Sequence, residues 1–552
     1  MRKLRPHHVY EPTHRYSMGC WGIIARARHK SDNATAAFNN SPESPRGQIM
    51  NIVLVFSSFS PYHHARALAL RRACGEKGYR LIIAAMTAPS LSHQWTPDTD
   101  SDLHVLCSSG SDGDVSLREL LCAWMRFLKV HRPAVVVIAG YWPFSITLLS
   151  LVAVAKGIPR ILMTESHAAT AKETGFAAFA KRLLVSSYSA ALVGGKPHAE
   201  YLLSLGFSSA HIRDGYDCVE NDFFAKEAAV IRGQADKFRD RYRLPENFFL
   251  SVARLVPKKN IGTLITAYVE YCSRVCEKAL DLVIVGDGEL AAELKQQCAA
   301  LGHPVRDASH EKFTAETPPL SLVGPLEKPK VHFYGARRIN ELPAFFALAR
   351  AFVLPSIEEE WGLVVNEAMA SGCPVIVSER AGCAQDLLPE VFAGESQSYC
   401  SGQQVKLRSS GVLFDPERVE DLVHALKMMT FARELRESMV ANAGSVVERY
   451  SPRHFAENVL ELAELVTDDV TRLSPTSGIV NKGPAIASSI SPANKGVGRG
   501  VLERLRGLAG GFGRSIARWR SRNVRGVSCA TFAGDRARQQ PLHQRPDAWS
   551  SR

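Results

Sequence analysis

From Asn51 onward the chain alternates two hydrophobic rhythms. Short apolar runs of strand character occupy 51–56, 81–85, 135–138, 161–163 and 190–193. Between them lie longer segments whose apolar residues recur at helical spacing, as Ala65, Leu68 and Leu70 do. The same rhythm resumes at 248–252 and continues through 282–285, 331–334, 352–354 and a β-branched run after Pro374. Ile261, Leu264, Ile265 and Tyr268 share one helical face there, residues 341–350 form another helix, and a further helical pattern runs from Gly362 to Gly372. Strands that are apolar throughout, each followed by a helix, predict parallel sheets covered on both faces. The pattern divides into two Rossmann-like, α/β domains at 50–225 and 240–430, with terminal helices at 440–468 broken by Ser451-Pro452. One uncharged segment, 133–155, is long enough for a membrane span. Its centre is interrupted by Gly140, Trp142-Pro143 and Ser145, so it reads as a strand, a turn and a buried helix.

The segment 352–377, FVLPSIEEEWGLVVNEAMASGCPVIV, holds the densest chemistry. An apolar strand stops at Pro355-Ser356, three glutamates follow, and a helix opens at Gly362 and closes at Gly372 before the next strand. In a βαβ unit this places the helix N-terminus at the C-terminal edge of the sheet, where free N–H groups attract phosphate. Glu359 in the loop and Glu367 on the helix can face one crevice beside such an anion. Carboxylates next to a phosphate suit hydroxyl-bearing groups, which points to a sugar or a ribose. Taken alone, an acidic loop and a glutamate complementing the helix dipole explain the pair equally well.

Other strand ends add to this. Arg254 and Lys259 follow the strand at 248–252, five residues apart, a fork donor and a point charge suited to a pyrophosphate. Gly286, in Gly286-Asp287-Gly288, and Gly335 end two further strands, where small residues let the backbone approach a ligand.

The successive segments SVARLVPKKN, LVIVGDGEL, VHFYG and PSIEEEWGLVVNEAMASGCPVIVS together resemble the family 4 nucleotide-sugar glycosyltransferases. The likeness spans about residues 50–465 and is strongest in the second half. It implies the GT-B fold, two Rossmann-like domains facing each other across a donor-binding cleft, with the terminal helix packed back on the first. It implies transfer with retention from a nucleotide-diphosphate sugar, and neither a metal nor a cofactor is expected. Arg254 and Lys259 would hold the diphosphate, and Glu359 the sugar. Glu367 would hold the ribose hydroxyls, and the backbone around Gly362, Leu363 and Val364 the phosphates. The acceptor would bind mainly on the first domain, and His167, in Thr164-Glu165-Ser166-His167, matches a histidine of the family.

Departures from the family pattern fall at two places. Glu360 and Trp361 replace the usual glycine and phenylalanine. The loop after the first strand offers Ser60, Tyr62, His63 and His64 where the family has flexible glycines. Glu165 and Lys196 are further cleft candidates, and Asp217 and Asn221 read as the structural connection out of the first domain. An inactive nucleotide-sugar-binding protein and an epimerase on the same fold stay open as alternatives.

Composition changes the picture at the ends. The net charge is +12, but residues 1–49 carry +5 and 471–552 carry +12, leaving 50–470 at −5. Both ends are rich in Ser, Pro, Gly and Asn and read as disordered basic extensions. Within the second, Val501, Leu505, Leu508, Phe512, Ile516 and Trp519 recur at helical spacing among arginines, so 501–520 offers peripheral contact with an anionic membrane, although four glycines weaken it. A lone Trp and Phe make no stacking platform for nucleic acid, so none is expected. Twelve cysteines without CxxC or zinc spacing fit free thiols in a cytoplasmic protein, at the inner face of the membrane if the tail binds there. Asp98-Thr99-Asp100 and Asp112-Gly113-Asp114 match a metal–sugar motif formally, yet sit in a polar stretch read as loop. The expected partners are therefore a nucleotide sugar and a saccharide, lipid-linked or small-molecule acceptor, in a role such as polysaccharide biosynthesis.

Overall fold

The computed structural model describes residues 49–87, 103–107, 116–171, 175–311, 313, 329–390 and 405–473. The basic ends up to 48 and from 474, the helix expected at 501–520, and both aspartate motifs lie outside these residues.

Among the described residues fifteen strands form two sheets. The first contains β1 (Asn51–Phe56), β2 (Arg80–Thr87), β3 (Leu103–Cys107), β4 (Val135–Ala139), β5 (Arg160–Thr164), β6 (Ala190–Val193) and β7 (Ile212–Arg213), in the order β3-β2-β1-β4-β5-β6-β7. All its pairings are parallel, with Ile52 opposite Leu81 on one side and Val135 on the other. The second contains β8 (Phe248–Val252), β9 (Asp281–Val285), β10 (Val305–Asp307), β11 (Val331–Phe333), β12 (Ala351–Leu354), β13 (Val375–Ser378), β14 (Lys406–Arg408) and β15 (Gly411–Phe414). Its order is β10-β11-β9-β8-β12-β13-β15-β14, parallel except for the β14–β15 edge.

Strand periodicity builds the cores. Ile52, Leu54 and Phe56 face one apolar layer and Val53 and Val55 the other, all fully buried. In β8, Phe248 and Leu250 point into one layer and Phe249 into the opposite one. The chain leaves β8 toward β9 and β11, then returns to the other side of β8 as β12. The crevice outside the β8 and β12 ends is thus a topological switch point, the place where open α/β sheets bind ligands. β1 and β4 form the equivalent point in the first sheet.

The segment 133–155 resolves into β4 and the helix Phe144–Ala155, and no described helix is long and apolar enough to cross a membrane. The helix Asn221–Gly233 belongs to the second core, although the sequence places the end of the first domain at 225. Phe224, Ala228 and Ile231 bury one helical face there, with Phe224 edge-on to Phe346 at 6.3 Å. The helix Pro452–Leu473 lays Phe455, Val459, Leu462 and Val466 into the first core, against Leu70 of the helix Pro61–Glu76. Lys77 Nζ and Glu464 Oε1, 2.6 Å apart, mark the edge of that contact.

Candidate functional site

Two loops meet at the C-terminal edge of the second sheet. Residues 253–260 leave β8 and residues 355–362 leave β12; the Ile357 N–H donates to the Lys258 carbonyl at 2.9 Å. The Lys259 ammonium donates to Glu359 Oε2, which also accepts from Ser356 Oγ at 3.0 Å. Lys258 Nζ lies 3.2 Å from Glu360 Oε2. Burial works against ionisation of Glu360, but the Lys258 ammonium prevails and holds that carboxyl below its usual range.

Gly362, at φ 103°, turns the chain into the helix Leu363–Ala370. Trp361 is buried beside it and donates from Nε1 to Asn366 Oδ1 at 2.8 Å. The N–H groups of Leu363 and Val364, in the first turn, meet no acceptor among the described residues. One turn further, Glu367 is 1% exposed and accepts from the Tyr62 hydroxyl at 2.7 Å. Burial pushes the Glu367 carboxyl up to about 7, with the Tyr62 hydrogen bond acting in the opposite direction.

Arg254 lines a neighbouring hollow of about 280 Å³ with Gly286, Asp287 and Arg337. It is exposed and makes no ion pair or hydrogen bond with Glu359 or Glu367 among the described residues. Gly286 sits at φ 141°, and a Cβ there would overlap the Ala253 carbonyl, so the two strand-end loops touch only because glycine stands between them. Its N–H donates to the Gly335 carbonyl at 2.8 Å, which brings the β9 and β11 ends to the same edge.

The first domain closes on these loops through its own strand ends. His167, after β5, is 5% exposed and bonds through Nε2 to the Glu359 carbonyl at 3.1 Å. A carbonyl only accepts, so Nε2 carries the hydrogen. His198, packed edge-on against His167 at 5.2 Å, reaches the Glu360 carbonyl from Nε2 at 2.9 Å and accepts the Gly195 N–H at Nδ1. Burial pushes His198 down to about 4, so its ring is neutral. Glu165, on the His167 loop, lies within electrostatic reach of Arg66, Glu360 and Glu359.

Lys196 contributes its backbone, not its ammonium. Its N–H, at the start of the helix Lys196–Ser204, is 3.1 Å from each oxygen of the Asp386 carboxylate, while the side chain is exposed. Asp386 also accepts from the Tyr450 hydroxyl at 3.0 Å. Asp217 is buried in an ion pair with Arg66 at 3.5 Å, and Asn221 donates to the Val447 carbonyl at 3.0 Å, both structural contacts. Between the domains lies a cavity of about 610 Å³ lined by His167, Glu200 and Tyr201 on one side and Glu358, Arg380 and Gln385 on the other.

The structure therefore brings Lys259, Glu359, His167 and the helix end at Gly362 together, and sets Arg254, Gly286 and Gly335 beside them. Sequence reasoning had no role for His198 or Asp386. The signal available was the Gly194-Gly195 strand end, which marks a close approach of backbone to something else.

Residues 246–430 match the family model described as Glycosyl transferases group 1. The chain carries a group 1 glycosyl transferase domain. Arg254, Lys259, Gly286, Gly335, Glu359, Gly362 and Glu367 all fall inside it, whereas Tyr62, His167 and His198 belong to the domain opposite. Over 121 residues the chain is 37% identical to the sulfoquinovosyl transferase SQD2 of Arabidopsis thaliana, covering 22% of this chain and 21% of that protein. Over 175 residues it is 33% identical to the GDP-mannose-dependent alpha-(1-6)-phosphatidylinositol monomannoside mannosyltransferase of Mycobacterium tuberculosis, covering 30% and 38%. The matches thus span well under half of either relative. A glycosyltransferase from Rickettsia africae superposes with a TM-score of 0.55 at 14% identity, over 76% of this chain and 99% of that one. The glycosyl transferase domain and its partner together have the GT-B fold, two facing α/β domains with parallel sheets.

Proposed function

We propose that the protein transfers a sugar from a nucleotide-diphosphate donor to an acceptor hydroxyl, with retention at the anomeric carbon and without a metal. The single observation that supports this most is the convergence at one sheet edge of Lys259, two buried glutamates and a helix N-terminus with unused N–H groups. The leaving group is a nucleoside diphosphate whose negative charge grows as the glycosidic bond breaks. Lys259 and the Leu363 and Val364 N–H groups offer positive potential for that charge, with Arg254 alongside. Glu359 would orient the sugar hydroxyls and Glu367 the ribose. The departing phosphate oxygen would take the acceptor proton, which accords with retention.

The acceptor would enter the cavity between His167 and Arg380, whose walls of Glu200, Glu358 and Glu379 favour a neutral hydroxylic surface over an anion. A saccharide, free or lipid-linked, fits that chemistry, as in polysaccharide biosynthesis. Peripheral membrane contact through 501–520 belongs to the same proposal.

The test is to incubate purified protein with UDP-, GDP-, ADP- and dTDP-sugars in EDTA, with and without saccharide acceptors. The expected result is release of nucleoside diphosphate that rises with acceptor and a product of unchanged anomeric configuration by NMR. Binding of donor with no release under any acceptor would favour the inactive binder. Isomerised sugar nucleotide would favour an epimerase.

A further inference from the structure

We propose that Tyr62 is a built-in competitor of the donor. Its hydroxyl occupies the seat on Glu367 that a ribose hydroxyl would take, and the nucleotide sugar enters only when this ring leaves. The inference rests on the donor reading above and adds a residue that determines donor affinity.

Tyr62 and Glu367 lie 305 residues apart and on opposite domains, yet the hydroxyl stands 2.7 Å from Oε1. Chemically a phenol and a ribose hydroxyl present the same thing to a carboxylate, one neutral O–H donor. The ring also packs against the second core. With the ring in place Glu367 is 1% exposed, so a donor cannot reach the carboxylate without moving it.

The loop that carries the ring is held in position. Ser60 N–H donates to His63 Nδ1 at 3.2 Å, and the His63 ring stacks on Phe56 at 4.1 Å. Tyr62 follows in the first turn of the helix Pro61–Glu76, so its hydroxyl is presented with little ordering cost. An internal group so fixed competes at high effective concentration.

Calorimetric titration of the full chain and of Tyr62→Phe with UDP, GDP, ADP and dTDP tests this. The Phe variant keeps the ring packing and removes the competing hydroxyl. At least one nucleoside diphosphate should bind it about five- to tenfold more tightly than the wild type, the scale of one intramolecular hydrogen bond. The gain should disappear in a Glu367→Ala background, where neither hydroxyl has an acceptor. Equal or weaker binding by Tyr62→Phe overturns the competitor. If Glu367→Ala weakens binding while Tyr62→Phe brings no gain, the competitor falls and the ribose role of Glu367 stands. If Glu367→Ala changes nothing, or no nucleoside diphosphate binds any of the proteins, the donor reading falls with it.

Discussion

Lys259 and Glu359 form an ion pair across the two loops that leave β8 and β12, with 12% and 10% of their side-chain surfaces exposed. The group assigned to the diphosphate and the group assigned to the sugar thus neutralise each other before any ligand arrives. Under the proposed function a donor has to divide them, its diphosphate taking the place of the carboxylate beside Lys259 and its sugar hydroxyls that of the ammonium beside Glu359.

Lys259→Ala should therefore damage more than turnover. It leaves Glu359 largely buried beside Ser356 with no cation, which should lower folding stability on the order of 2–3 kcal/mol. Lys259→Ala with Glu359→Gln should recover most of that stability and none of the activity. Urea unfolding and donor turnover measured on the single and double variants check both halves. Additive stability losses would show that the two side chains do not act as a pair.

Glu367 gives a pH signature. Its folded-state value near 7 exceeds the ordinary glutamate value of about 4.5, so the folded protein holds a proton that the unfolded chain releases. Its contribution is most favourable below pH 4.5 and is lost as pH rises through 7, by about 3 kcal/mol in full. Glu367→Gln keeps the acceptor for Tyr62 and removes the titration. The variant should gain stability relative to the wild type as pH rises from 5 to 8, read from urea midpoints at each pH. A constant difference across that range would disprove the shift.

Much of this was legible in the sequence, and the reasons differ residue by residue. Phe352 to Leu354 reads as a strand because both its faces are buried, which leaves no polar alternation to confuse it. The meeting of Lys259 and Glu359 follows from chain order, since every βα loop of a parallel sheet emerges at the same edge. β3 was not legible: it is an edge strand whose His104 and Val105 are exposed, within a polar stretch. Tyr62 stood out as a replacement for glycine, but its partner depends on how two domains meet, which no local pattern encodes. The same holds for the helix Asn221–Gly233, whose apolar face is clear and whose choice of core is not.

The contact at Gly195 should be intolerant of a methyl group. A Cβ there would lie 2.5 Å from Asp386 Cγ, on the carboxylate that accepts the Lys196 N–H. Gly195→Ala should push the two strand-end loops apart and loosen domain closure, lowering turnover at least tenfold while each core stays folded. Small-angle scattering should report a larger radius of gyration with unchanged circular dichroism. An unchanged radius together with full activity would show that the domains close without this approach.

His198 titrates against Glu367, and the two together mask each other. Burial holds the folded-state value of His198 near 4, below the usual 6.5, so protonation favours the unfolded chain. Its contribution is complete above pH 6.5 and is lost as pH falls toward 4, again about 3 kcal/mol in full. Between pH 4.5 and 6.5 the Glu367 contribution runs the other way, so these two groups leave the wild-type profile nearly level. His198→Gln should expose the glutamate, with stability falling as pH rises across that window. Glu367→Gln should expose the histidine, with stability rising. Parallel profiles for the two variants, measured as urea midpoints in half-unit steps, would mean that at least one of these side chains is not buried as described.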